Sequence, residues 1–161
     1  MEALDVGYLA NAHAEQPSRA VEIERRERPR TRRTSSDFES THGATADGWG
    51  PSEAGGYWYR FFAREPHEVT VADATPQRTA AIRHAVRAFA AACEAPVVFK
   101  NVFNSLRVPV LAEALPEARF VCIERDEHAN ARSLLAGRVK RGDLNAWWSA
   151  RPAGAEQVAG A

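Results

Sequence analysis

From residue 75 onward the apolar positions alternate between a three-to-four-residue repeat and short continuous runs, a pattern that predicts helices and buried strands in turn. Thr75-Pro76 offers an N-cap with proline at the first helical position, and Ile82, Val86, Phe89, Ala90 and Cys93 follow on one helical face. Glu94-Ala95-Pro96 ends that helix. Val97-Val98-Phe99 then predicts a strand carrying Lys100 and Asn101 at its C-terminal end. A second helix over roughly 105–115 aligns Leu106, Val110, Leu111 and Leu115, and Pro116 closes it. The run Arg119-Phe120-Val121-Cys122-Ile123 predicts another strand, delivering Glu124 and Arg125, and a third helix over about 127–140 stops near Gly142. Strand, helix, strand, helix predicts an α/β fold with a parallel βαβα core and a right-handed crossover. Ligands of such sheets bind beyond the C-terminal strand ends, where Lys100, Asn101, Arg125 and Asp126 fall.

The first 56 residues lack this patterning. Residues 19–33 hold seven Arg against three Glu, and Pro29 interrupts any helix carried through them, so residues 1–36 read as a disordered, Arg-rich leader to a partial α/β domain over 37–161. An irregular segment rich in Gly, Ser and Pro follows. The aromatic run Tyr57-Trp58-Tyr59-Arg60-Phe61-Phe62 is read as a short helix with Ser52 as its N-cap.

Length and charge narrow the picture. A chain of 161 residues suits one domain that buries roughly 70% of its unfolded surface. The 21 Lys and Arg balance 21 Asp and Glu, so no global field draws the protein to nucleic acid or to an anionic membrane, and any anion site is local. The Arg-rich run has no interleaved aromatics for base stacking, and no nucleic-acid partner is expected. Neither a spanning apolar run nor a basic-then-apolar N-terminal signal is present, which predicts a soluble cytoplasmic chain without a membrane span. Cys93 and Cys122 lie in apolar segments and read as buried small side chains. The five histidines are scattered singly, so no metal is expected; His84 and His128 read as exposed helical residues.

The residues with the most chemical content are Arg125 and Ser133. A guanidinium at a strand end and a hydroxyl in the next helix can share one phosphate; the same residue types also suit an Arg–carboxylate pair and a Ser bonded back to its own helix. Together with Val97-Val98-Phe99-Lys100-Asn101, Leu115-Pro116-Glu117-Ala118-Arg119-Phe120-Val121, Arg125-Asp126 and Ser133-Leu134-Leu135, they make residues 96–138 resemble the sulfotransferases that use 3′-phosphoadenosine-5′-phosphosulfate (PAPS). The irregular segment around 37–60 and Asn145-Ala146-Trp147-Trp148-Ser149 resemble bacterial members.

The resemblance implies a P-loop-like sulfotransferase fold and sulfuryl transfer from PAPS to a hydroxyl or amine acceptor. By position, Arg125 and Ser133 would bind the 3′-phosphate of the co-substrate. Lys100 would stabilise charge on the sulfuryl or 5′-phosphate side, and Asn101 would orient an oxygen. His42 and Glu53, with Glu39, are the loop candidates for a general base. Glu127 replaces the family's proline after Arg-Asp. The Gly-rich 5′-phosphosulfate loop is not found upstream, because Gly50-Pro51-Ser52-Glu53-Ala54-Gly55-Gly56 has no preceding apolar strand and Pro51 has no N–H to donate. The expectation is therefore an internal fragment, lacking that loop and the C-terminal part, with weak or no catalysis. The alternatives are a non-catalytic nucleotide-binding or interaction module retaining the 3′-phosphate half-site, and a kinase-like phosphate enzyme, for which a phosphate loop is missing.

Overall fold

The computed structural model describes residues 6–31, 40–41, 44–45, 47–144 and 150–155. The chain is mixed α/β, mostly helical, with a small parallel sheet. Its centre is the helix predicted from Thr75, here α4 (Pro76–Cys93; helices α1–α3 are given below). The Thr75 hydroxyl accepts the Arg78 N–H, Pro76 occupies the first turn, and Glu94 ends the helix in the left-handed region at φ 51°. Ile82, Val86, Phe89 and Cys93 are all buried, so the sequence period and the buried face coincide.

Residues 6–31, for which the sequence predicts a disordered leader, contribute ordered elements instead. They form β1 (Gly7–Tyr8), α1 (Asn11–Glu15), a 3-10 turn (Pro17–Arg19) and α2 (Ala20–Thr31). Leu9, Ala20 and Ile23 enter the core, and α2 packs on α4. Buried His13 ties α1 to α2. Its Nδ1 accepts the Ala10 N–H at 2.9 Å, which leaves the ring proton on Nε2, facing the Glu24 carboxylate at 3.4 Å. A small antiparallel pair, β2 (Ser40–Thr41) and β3 (Ala44–Thr45), precedes the loop.

The aromatic run forms one helical turn, α3 (Gly55–Trp58), capped by Ala54 rather than Ser52. Ala54 sits at φ 42°, and Ser52 instead accepts the Ala54 N–H on its hydroxyl at 3.1 Å. Tyr57, Trp58 and Phe62 are buried, with Tyr57 and Trp58 against Phe99. Burial pushes the Tyr57 phenol up to about 12.

β4 (Val97–Val98) forms where expected, but its parallel partner is β1, in the register Gly7 to Val97 and Tyr8 to Val98. The approach is close. A Cβ on Gly7 would lie 2.5 Å from Cys93 Sγ and 2.8 Å from Val97 Cγ1, so only glycine fits there. A 3-10 turn (Val102–Leu106) leads into α5 (Val108–Ala114), which packs on α4. Arg83 of α4 donates to the carbonyls of Ala114 and Glu113, satisfying acceptors that the end of α5 leaves open. Arg87 pairs with Glu117 one turn further along.

The predicted second strand is absent. Residues 119–125 form no strand and are exposed, with Val121 at 85% and Ile123 at 81%. In place of the expected βαβα core stand the two-stranded β1–β4 pair and the helices α2 and α5, which both pack on α4. Cys122, expected inside, is exposed with this segment, whereas Cys93 is buried. The last helix, α6 (Glu127–Arg141), starts and stops as predicted. Asp126 accepts the Ala129 N–H, and Gly142 at φ 73° closes the helix. Its residues His128, Ser133, Leu135 and Val139 are exposed, as is His84 on α4. No helix among the described residues is long and apolar enough to cross a membrane.

Candidate functional site

Three of the candidate residues meet at the C-terminal end of β4. Asn101 caps the 3-10 turn that follows, its Oδ1 accepting the Phe103 N–H at 2.9 Å. Its Nδ2 donates to the Glu53 carbonyl at 2.8 Å, which fixes the loop before α3 against the strand end. The Glu53 carboxylate can then reach Lys100, with which it forms an ion pair, and it accepts the Val102 N–H at 3.5 Å. From the other side, the Ser52 N–H donates to the Leu9 carbonyl at 2.8 Å, joining the same loop to the end of β1.

The loop is braced further back by Asn11. Its Nδ2 bonds the Asp47 carbonyl at 2.7 Å and the Thr45 hydroxyl at 2.9 Å. Beside the ion pair lies a cavity of about 220 Å³, walled by Val6, Tyr8, Leu9, Pro51 and Val98, with Lys100 as a cationic corner. Partial desolvation pushes the Lys100 ammonium below its ordinary pKa, while the Glu53 carboxylate beside it favours the charged form. The arrangement holds a cation, a carboxylate and a concave apolar wall together, the components of a proton-transfer or anion-stabilising site.

Arg125 and Ser133 lie elsewhere. Both are exposed, Arg125 just before α6 and Ser133 in its second turn, roughly 9 Å of helix rise after Glu127. Neither joins the Lys100 group. The first-turn amide of Ala129 is occupied by Asp126, whose carboxylate competes with any anion at that helix end. His42 falls outside the described residues, as do Asn145, Trp147 and Trp148.

Sequence reasoning did not single out Tyr8 and Val98 as walls of the cavity. Val98 stands two residues before Lys100 on the same extended chain, but Tyr8 joins them only because β1 pairs with β4, a long-range event that no local pattern announces. It also passed over Arg107, which is fully buried. A readable signal exists there: Leu106-Arg107-Val108-Pro109-Val110 places one charge inside an apolar run. No family model, no curated protein and no solved structure matches the chain.

Proposed function

We propose that the chain handles a nucleotide sulfate donor of the PAPS type, with Lys100, Glu53 and Asn101 at the sulfuryl end and Arg125 with Ser133 on the 3′-phosphate. The observation that carries the reading is the Lys100–Glu53 pair at the edge of the Tyr8–Val98 cavity. In the transfer step, a lone pair of an acceptor hydroxyl or amine forms a bond to sulfur while the bond from sulfur to the bridging oxygen of the donor breaks. The electron pair leaves with the 5′-phosphate of 3′,5′-adenosine bisphosphate, where Lys100 offsets the new charge, and the acceptor proton passes to Glu53. For this the ion pair must part. A donor oxygen takes over Lys100 and frees the Glu53 carboxylate to act as base. Asn101 serves as a positioning residue, because it fixes the Glu53 backbone.

Calorimetry with 3′,5′-adenosine bisphosphate tests the proposal. Saturable heat in the native chain, lost in Arg125→Ala, is expected; no heat in the native chain overturns it. A second reading, a non-catalytic nucleotide-binding or interaction module, is favoured by one observation. Arg125 and Ser133 stand on an exposed arm outside the Lys100 group, while Glu53 is already engaged. Nucleotide binding without sulfuryl transfer from labelled PAPS selects this second reading.

A further inference from the structure

The guanidinium of Arg107 is a buried cation without a hydrogen-bonding partner among the described residues. Its side chain is fully enclosed, and Nε, Nη1 and Nη2 meet no acceptor among the described residues. What surrounds it is aromatic: the guanidinium carbon lies 4.6 Å from the Phe62 ring centre, 5.6 Å from Tyr59 and 5.7 Å from Phe103. Ring faces attract a cation, but they do not satisfy in-plane N–H donors. A guanidinium in such a place is left with its planar fork open, and that fork matches the oxygens of a carboxylate, phosphate or sulfate. Burial accordingly pushes its pKa down.

The surroundings repeat the preference. Arg64 stacks on Tyr59 at 4.6 Å, which brings a second guanidinium to the same ring. Asn104, one turn before Arg107, has a buried and unpaired Oδ1; turned over, the amide presents an N–H at that position, another donor for an oxyanion. The Phe103 side is flanked by His67, Glu68 and the chain around Arg151. The His67 ring lies tilted against Phe103, with centroids 4.6 Å apart, and accepts the Arg151 N–H at 2.8 Å, while Glu68 accepts the Ala153 N–H at 2.7 Å. Residues 152–154 are exposed, so the chain beside Phe103 lies next to solvent.

We infer that the Tyr59–Phe62–Phe103 cage presents Arg107 as a second anion site, one that takes a small oxyanion through the guanidinium fork and is separate from the Lys100 and Arg125 loci. The competing account is a cation held by the rings alone, as a structural brace. The two differ in how stability responds to anions.

The test measures thermal unfolding of the full chain in low millimolar phosphate, sulfate or acetate, against sodium chloride at matched ionic strength. A saturable rise in Tm of about 3 °C or more is expected in the native chain. It persists in Arg125→Ala and is abolished in Arg107→Met, whose Tm without added anion equals or exceeds that of the native chain because an unpaired buried charge is gone. The phosphate and sulfate arms against acetate tell a tetrahedral ligand from a planar carboxylate. Should Arg107→Met fail to fold, the Arg107 Nε–H resonance in the native chain serves instead, and it shifts saturably with the same anions. An anion-insensitive Tm, or a rise that survives Arg107→Met, overturns the proposal, as does an Nε–H resonance that does not move.

Discussion

Residues 97–99 and 119–123 are two short apolar runs, each preceded by a helix and followed by charged residues, yet they meet opposite fates. Val97 and Val98 pair with Gly7 and Tyr8, whereas Phe120, Val121 and Ile123 stand in solvent. Composition does not separate them. What does is a neighbour: β1 supplies hydrogen-bonding partners to the backbone of 97–98, although Val98 itself stays 55% exposed, and no strand lies beside 119–123 among the described residues. The contrast extends to the candidate ligands. Lys100 and Asn101 follow the paired run and are held by Glu53, while Arg125 follows the unpaired run and has no such carboxylate partner among the described residues.

The largest effect that would sharpen this contrast is expected in the packed half. Phe89→Ala removes a fully buried ring that touches Tyr57, Phe99 and His13 and should cost about 3–5 kcal/mol in denaturant unfolding, whereas Val121→Lys should stay within about 0.5 kcal/mol. Equal losses from the two variants would break the comparison. Next in size is Gly7→Ala. The added methyl meets Cys93 and Val97, so overpacking of about 1–3 kcal/mol is expected, together with faster hydrogen exchange at the Gly7 amide, which donates to the Pro96 carbonyl at 2.7 Å.

Exchange rates also separate the halves without any substitution. Residues 120–125 donate no backbone hydrogen bond among the described residues, and their amides should exchange far faster than those of Phe89 to Cys93. The smallest effect concerns acid. The Thr70 N–H, and then its hydroxyl, hold the Asp73 carboxyl below its ordinary value. A depressed pKa stabilises the fold above the unfolded value of about 4 and loses that contribution as pH falls through the folded value. Asp73→Asn should therefore flatten the decline of Tm below about pH 5, leaving a residual slope from Glu117, which its own backbone N–H and Arg87 hold down in the same way.

Local signals were the legible ones. Thr75-Pro76 and Gly142 mark helix ends through bonds made within a few residues, and α4 and α6 begin and stop at those marks. The strand predicted at 119–123 does not form, because a strand depends on a distant partner that no sequence window contains. Residues 6–31 depart from the expected disorder for a related reason. Leu9, Ala20 and Ile23 are too sparse to show a period, and the Arg-rich stretch beside them looks solvated, but each enters a core built by α4. In the site, Lys100 and Asn101 were legible as strand-end residues and Glu53 as a loop carboxylate. Their meeting was not, because it rests on the Asn101–Glu53 bond across 48 residues.

The register of β1 on β4 also orders events in time. Gly7 and Val97 are 90 residues apart, and closing so long a loop loses more chain entropy than bringing α4 to α5, whose sequences nearly adjoin. The α4–α5 hairpin with its Arg83 clasp can assemble while the N-terminal strand is still searching. During that interval both edges of Val97–Val98 are open to any extended apolar segment, including Phe120–Ile123 of a neighbouring molecule. Refolding yield should therefore fall as protein concentration rises, and the race between β1 and a stranger's strand is decided at Gly7.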